Sequence, residues 1–113
     1  MFSPGSPATG AGTAGPYTKE AGFLAYYEIC EKTSNGWTSS YDPDMTSMVA
    51  FHTKKKEWVG YENPQTITER CEFINLNGLA GAMFWDLSLD DMNGEFCGEG
   101  NFPLINTMKN CLN

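Results

Sequence analysis

A single short apolar run, LAGAMFWDL at residues 79–87, limits the fold of this chain more than any other feature. Its apolar residues follow one another without the alternation that marks a strand with one solvated face. This pattern predicts a strand that is buried on both faces, as in a parallel sheet. Such a strand needs parallel neighbours on both sides. The first question is therefore which other segments could pair with it.

The other predicted elements do not supply parallel partners. Two short runs, separated by a brief polar connection, predict an antiparallel hairpin, and three segments predict helices. These elements are a helix over residues 17–33, strands at 46–52 and 57–62, a helix from Pro64 to about Asn77-Gly78, and a last helix within 102–113. A helix–strand–helix step does not close a sheet, so we expect these 113 residues to be a piece of something larger.

The first predicted helix has a plausible N-cap in Thr18 and an apolar face that includes Phe23, Tyr26 and Cys30. The stretch before it, SPGSPATGAGTAGP at residues 3–16, is almost wholly Gly, Pro, Ala, Ser and Thr. Taken alone, this composition predicts a flexible linker or a disordered tail.

Composition and charge exclude several classes of function. A chain of 113 residues with 41% hydrophobic content predicts one modest core. The net charge of −7 argues against a nucleic-acid partner, and the three lysines at 54–56 fit a solvated hairpin turn. No apolar run approaches the roughly 18 residues of a membrane span, and no signal segment opens the chain. We therefore expect neither a nucleic-acid nor a membrane partner.

Four cysteines lie at positions 30, 71, 97 and 111, with no C-x-x-C pair and with His52 as the single histidine. Structural zinc favours closely spaced ligand pairs, so we expect no metal site, and no motif indicates a cofactor. An even number of cysteines in a small acidic chain fits two disulfides formed in an oxidising compartment. The alternative is four reduced thiols in the core.

Three stretches together resemble the glycoside hydrolase family 18 chitinases. GSPATGAGTAGPYTKEAGFLAYYEIC resembles the insertion domain of that family. EWVGYENPQTITERCEFINLNGLAGAMFWDLSLDD is similar to its return strand, seventh barrel helix and eighth barrel strand, and FCGEGNFPLINTMKN is similar to the following loop and final helix. The resemblance covers residues 5–112.

The resemblance implies an α/β fold, namely the C-terminal part of a (β/α)8 TIM barrel with an α+β chitinase insertion domain. Residues 1–62 would be most of the insertion domain, and residues 63–113 the last helix, strand and helix of the barrel. The chain would begin just past strand seven, so the rest of the barrel is an expected partner. On this interpretation the Gly/Pro-rich start is an ordered loop.

The family hydrolyses β-1,4-linked N-acetylglucosamine polymers with retention, and its acid is the Glu of a D-x-x-D-x-D-x-E motif. The acetamido oxygen of the substrate serves as the nucleophile, which is an exception to the two-carboxylate rule. The acidic residues of this chain never have that spacing. We therefore expect no catalytic residue and no hydrolysis by these residues alone.

The resemblance implies a binding role for four residues. Trp85 matches the tryptophan that floors the sugar site at the end of strand eight, and a flat indole suits the apolar face of a pyranose. Met83 shares its side of the strand and would face the barrel interior. Glu20 and Phe23 match insertion-domain positions that contact sugars. The structural alternatives are a core tryptophan, interior packing of Met83, helix-end electrostatics for Glu20 and core packing for Phe23.

The same resemblance implies a disulfide between Cys30 and Cys97 and a secreted, extracellular protein. Cys71 and Cys111 fall on the last two barrel helices, where they could pair or remain buried thiols.

After Trp85 the chain departs from the family pattern: a carboxylate, Asp86, follows directly, and Ser88 stands where an Asp is expected. Two hypotheses therefore remain. The chain is the C-terminal part of a chitinase, supplying part of the chitin-binding cleft, or it belongs to a non-catalytic chitinase-like lectin.

Overall fold

The computed structural model describes residue 3 and residues 5–113; Met1, Phe2 and Pro4, which fall in the domain predicted over 1–62, lie outside the described residues. In chain order the elements are α1 (Tyr26–Ser34), β1 (Thr38–Asp42), β2 (Ser47–His52), β3 (Glu57–Tyr61), α2 (Pro64–Leu76), a 3₁₀ turn (Leu87–Leu89) and α3 (Pro103–Cys111). Within this part of the chain, every helix is too short or too polar to cross a bilayer.

The three strands form one antiparallel sheet in the order β1-β2-β3. The predicted hairpin is confirmed as β2 and β3, in which Ala50 pairs with Val59. Strand β1 was not predicted, since its sequence TSSYD is polar. Its pairing with β2, for example Ser39 opposite Ala50, supplies the backbone hydrogen bonds that its own composition does not predict.

The predicted helix over 17–33 is half wrong, because α1 begins only at Tyr26. Residues 17–25 form turns, in which Lys19 and Gly22 have positive φ angles of 57° and 84°. Thr18 is not an N-cap; its hydroxyl donates instead to the carboxylate of Glu28, at 2.7 Å. A tertiary hydrogen bond has therefore replaced the predicted first turns of the helix.

Helix α2 begins where the sequence predicts. Asn63 Oδ1 accepts the Thr66 N–H, and Thr66 Oγ1 accepts the Asn63 N–H, both at 2.9 Å, so each residue caps the other. Pro64 takes the first helical position, where no N–H is needed. Helix α2 packs against α3, and the helices bury the main apolar cluster, which comprises Tyr26, Ile67, Cys71, Leu104 and Met108.

The predicted buried strand at 79–87 does not form in the described part of the chain, where residues 79–86 join no sheet. Its sequence has the hydrophobicity of a two-sided strand. However, the three strands present form an antiparallel sheet of their own and leave this segment without parallel neighbours. Leu79, Met83 and Trp85 are consequently exposed. The barrel expected from the resemblance is not seen, and the described structure is an α/β unit with one three-stranded sheet.

Both cysteine pairs form disulfides, which confirms the Cys30–Cys97 pairing and selects pairing over buried thiols for Cys71 and Cys111. The Cα atoms are 5.2 Å apart in the first pair and 6.1 Å apart in the second. The first disulfide joins α1 to the loop after residue 91, and the second joins α2 to α3.

The Gly/Pro-rich start is tied to the rest of the molecule, so the linker interpretation is wrong for its described residues. The Thr13 N–H donates to Glu57 Oε1 at 3.0 Å, and the Thr13 hydroxyl donates to the same oxygen. The Gly22 N–H donates to the carbonyl oxygen of Gly12 at 2.9 Å. These bonds hold the stretch against β3 and against the turns before α1.

Candidate functional site

An open groove of about 360 Å³ lies between the sheet, the two C-terminal helices and the segment around Trp85. Aromatic and aliphatic side chains form most of its walls, and a few polar groups lie among them. The residues that line it include Leu24, Tyr26, Tyr61, Ile67, Arg70, Met83, Phe84, Trp85, Asp86, Leu104 and Met108. A mainly apolar concave surface with a few polar groups is typical of a ligand-binding site.

Trp85 is the most exposed large aromatic residue of the groove. Its side chain is 82% exposed, whereas its neighbour Phe84 is partly buried against the main apolar cluster. The indole is therefore not a core residue in this structure. The peptide bond between Trp85 and Asp86 is cis. Phe84 packs against the main apolar cluster, whereas Trp85 lines the groove.

Met83 lines the same groove and is 80% exposed. The structure therefore brings two of the four predicted binding residues, Trp85 and Met83, to one surface. Their common side of the segment agrees with the expected alternation around Phe84.

Glu20 and Phe23 lie elsewhere, in the turns that precede α1. The Phe23 N–H donates to the carbonyl oxygen of Glu20 at 3.3 Å, and both side chains are exposed. Phe23 lines a separate cavity of about 40 Å³, and Leu24 lines both this cavity and the groove. Neither structural alternative holds, because Glu20 precedes α1 by six residues and so is not in its first turn, and Phe23 is not in the core.

The carboxylates that follow Trp85 have structural partners. Asp90 is buried and accepts the N–H groups of Leu104 and Ile105, at 3.3 and 3.0 Å, at the start of α3. Asp91 is also buried and accepts the Cys97 N–H at 2.8 Å. Asp90 therefore holds the loop after residue 86 against α3, as expected for a negative group at a helix N-terminus, whereas Asp91 bonds within that loop.

The two departures from the family pattern contact each other. Asp86 Oδ1 accepts the Ser88 N–H at 2.9 Å and also the Ser88 hydroxyl. The carboxylate thus caps the short 3₁₀ turn that follows it. In the sequence these two residues are separate departures from the family pattern. In the structure they form one local hydrogen-bonded motif.

Two tyrosines of the groove were not predicted as site residues. The Tyr26 hydroxyl donates to Glu99 Oε1 at 2.5 Å, and burial together with this carboxylate raises the pKa of Tyr26 well above its usual value. The Tyr61 hydroxyl hydrogen-bonds to the Ser39 hydroxyl, and burial raises the pKa of Tyr61. Tyr26 was noticed only as part of an apolar helix face, and nothing in the sequence marked either hydroxyl.

An ion pair lies at the edge of the groove. Arg70 donates to Glu62 Oε1, with a shortest separation of 2.7 Å, and this bond raises the pKa of Arg70. Arg70 also donates to the carbonyl oxygen of Thr46 at 3.2 Å. These bonds fix the guanidinium beside the groove, where its remaining N–H groups can donate to a ligand.

One group of potential metal ligands occurs among the described residues, namely Cys30, Cys97 and Glu99. The two sulfur atoms form a disulfide, and Glu99 accepts the Tyr26 hydroxyl. The group is therefore not a ligand set for a metal ion.

Comparison with known proteins identifies similar chains. Residues 3–90 match the family described as glycosyl hydrolases family 18. The chain is 43% identical over 111 residues to the oviduct-specific glycoprotein of Ovis aries, covering 91% of this chain and 20% of that protein. It is 38% identical over 109 residues to chitotriosidase-1 of Mus musculus, covering 96% of this chain and 22% of that protein. The chain therefore spans about a fifth of each of these relatives.

Solved structures of YKL-39 have a similar backbone. One is described as human YKL-39, a pseudo-chitinase with retained chitooligosaccharide-binding properties; it has a TM-score of 0.87, is 37% identical and covers 94% of this chain and 28% of its own. Another was solved in the presence of the chitooligosaccharide GlcNAc4, with a TM-score of 0.88, 38% identity and coverage of 96% and 29%.

Proposed function

Because the chain belongs to the glycosyl hydrolases family 18, we propose that its groove binds chitooligosaccharides and forms one wall of a chitin-binding cleft. The observation that carries this proposal is the exposed indole of Trp85 beside Met83 at the groove. An apolar ring exposed to this degree at a concave surface is typical of a site that a ligand covers.

The chemistry of the groove suits an N-acetylglucosamine chain. An indole can cover the apolar face of a pyranose while its N–H donates to a polar atom. The fixed guanidinium of Arg70 and the hydroxyl of Tyr61 lie among the apolar walls, where they can hydrogen-bond to sugar hydroxyl or acetamido groups. Structures of the similar protein YKL-39 support this ligand class, since one was solved with GlcNAc4.

Binding without cleavage by these 113 residues is part of the proposal. The D-x-x-D-x-D-x-E spacing is absent from the sequence, and the buried acids near the groove hold the N-terminus of α3 and the loop before it. A catalytic Glu would then lie on another part of the barrel.

The unpaired segment at 79–86 supports a larger fold. We propose that further strands of a (β/α)8 barrel pair with this segment and complete the cleft. Residues 1–62 would then belong to the insertion domain, and residues 63–113 to the barrel. The two disulfides support an extracellular location, since such bonds persist in oxidising compartments.

A second candidate function is a chitinase-like lectin that binds these glycans without cleaving them. The bonded pair Asp86 and Ser88, which replaces the family pattern, favours this candidate. The coding sequence upstream of these residues would distinguish the two candidate functions. An intact D-x-x-D-x-D-x-E motif there supports the enzyme, whereas Gln, Leu or Asn at its final position supports the lectin.

The proposal is tested by two assays on this chain. We expect no release of fluorophore from a fluorogenic chitobioside, and retention on chitin that falls in Trp85→Ala. Phe73→Ala is the matched control, because Phe73 is an exposed aromatic residue of α2 that does not line the groove. Hydrolysis would contradict the absence of catalysis. Equal retention of wild type and Trp85→Ala would contradict the binding role of Trp85.

A further inference from the structure

Glu28 carries a fully buried carboxylate and does not line the groove. It occupies the third position of α1 and accepts the N–H of the N-cap residue Ala25 at 2.9 Å. This is half of a capping box, since Ala25 has no side-chain acceptor to complete it. The carboxylate of Glu28 also accepts hydrogen bonds from residues about ten positions earlier in the chain.

The other partners of Glu28 lie at the start of the turns that precede α1. Glu28 Oε2 accepts the N–H groups of Tyr17 and Thr18, at 3.0 and 3.3 Å, and Oε1 accepts the Thr18 hydroxyl at 2.7 Å. One carboxylate therefore holds both ends of the segment from Tyr17 to Ala25. This segment, which we name the clamped turn (residues 17–25), carries Glu20 and Phe23.

The fit around the carboxylate is close. A Cβ atom on Gly15 would lie 2.0 Å from Glu28 Oε2, so this position accepts only glycine if the carboxylate is to stay in place. Burial alone would raise the pKa of Glu28, but the hydrogen bonds from Ala25, Thr18 and Tyr17 outweigh it and hold the pKa below its ordinary value. The carboxylate is therefore charged at neutral pH, and charged acceptors form the stronger hydrogen bonds.

We propose that Glu28 is a positioning residue for oligosaccharide binding, because its carboxylate fixes the clamped turn and so orients Glu20 and Phe23 toward a bound sugar chain. The proposal rests on the proposed function of the groove. Phe23 lines the cavity next to the groove, and Leu24 lies between the two. Because Phe23 lines the cavity and not the groove, we expect only an oligosaccharide that extends past Leu24 to contact it.

The first test measures amide hydrogen exchange by NMR and requires no ligand. In Glu28→Gln, the amides of Tyr17 and Thr18 should exchange about 10-fold faster or more, since each loses a charged acceptor. The paired amides of β2 and β3 should keep their rates and so report that the fold is intact. Unchanged exchange at Tyr17 and Thr18 would overturn the clamp.

The second test compares affinities for the dimer GlcNAc2 and the pentamer GlcNAc5. We expect Glu28→Gln to lose about 10-fold in affinity for the pentamer and less than about 2-fold for the dimer. A merely structural loss would lower both affinities together. Thr18→Val, which removes one bond of the clamp, should show a smaller loss for the pentamer. Glu72→Gln, an exposed carboxylate of α2, is the control for the change in charge.

The outcomes separate the two proposals. If the wild-type chain does not bind the pentamer, the proposed function fails and the positioning role fails with it. If the wild type binds the pentamer more tightly than the dimer and Glu28→Gln preserves that difference, only the positioning role is overturned.

Discussion

Two tryptophans have opposite environments in this molecule. Trp37 precedes β1 and is 8% exposed, in a cluster with Ile29 and Ala50, and the Lys32 ammonium lies 5.1 Å from its ring centroid. Trp85 ends the apolar segment at 79–86 and is 82% exposed.

The difference arises from pairing and not from hydrophobicity. Strands β1 to β3 satisfy one another's backbone groups, so α1 can cover the sheet and bury Trp37. The segment at 79–86 is more apolar than the polar strand β1, yet it has no sheet neighbour among the described residues. Exposed apolar surface of this kind is characteristic of ligand-binding sites and of interfaces with other parts of a larger protein.

A large effect is expected for the Cys30–Cys97 disulfide, which joins α1 to the loop that follows the Trp85 segment. Replacing both cysteines by Ser should lower the free energy of unfolding by about 4 kcal/mol in the chain-entropy model, because the bond closes a loop of 67 residues. Urea denaturation under oxidising conditions measures the loss. The matched variant without Cys71 and Cys111, whose separation is 40 residues, should lose slightly less. A loss below about 1 kcal/mol for the first pair would show that the regions hold together without it.

The two tryptophans provide the most direct contrast in stability. Trp37→Ala should cost about 3–5 kcal/mol, since a buried indole leaves a cavity under the sheet. Trp85→Ala should change the free energy of unfolding by less than about 0.5 kcal/mol, since the side chain is almost wholly exposed. Denaturant titrations of both variants measure the difference. Comparable losses would mean that Trp85 is covered in solution and that the contrast is wrong.

A smaller effect is expected from acid. Hydrogen bonds from Thr13 lower the pKa of Glu57, and the bonds described above lower that of Glu28. Their folded-state pKa values thus lie below the unfolded value of about 4.3, so their stabilisation is present above that pH and lost as the pH falls through the folded values.

The thermal unfolding midpoint should therefore fall as the pH is lowered from about 6 to about 3. The double variant Glu28→Gln, Glu57→Gln should show a weaker dependence on pH over the same range. An identical slope for wild type and double variant would contradict the role of these two carboxylates.

Much of the fold could be predicted where the signals were local. The hairpin followed from alternation and a short connection, and Asn63-Pro64 marked the start of α2 to the residue. The turns at 17–25 could not be predicted, because Glu28 replaces helical hydrogen bonds with bonds from distant residues. Strand β1 is polar and exists through its pairing with β2.

The site was predictable only in part. Trp85 and Met83 came from resemblance, since the apolar pattern alone favoured a buried strand. A hydrophobic pattern shows that a strand is suited to burial. Whether the strand is buried depends on the presence of partner strands, which the pattern does not show. The hydroxyls of Tyr26 and Tyr61 escaped notice because their partners, Glu99 and Ser39, are distant in sequence.

Titration of this chain with GlcNAc4 tests the central claim, that the exposed indole of Trp85 is a sugar platform. We expect saturable binding to the wild type, and we expect Trp85→Ala to weaken it by at least about 10-fold. Trp85→Phe, which keeps a smaller ring, should weaken it less. Phe73→Ala should bind as the wild type does. Equal affinities of the wild type and Trp85→Ala would contradict this claim. The exposed indole would then serve only to contact other parts of a larger protein.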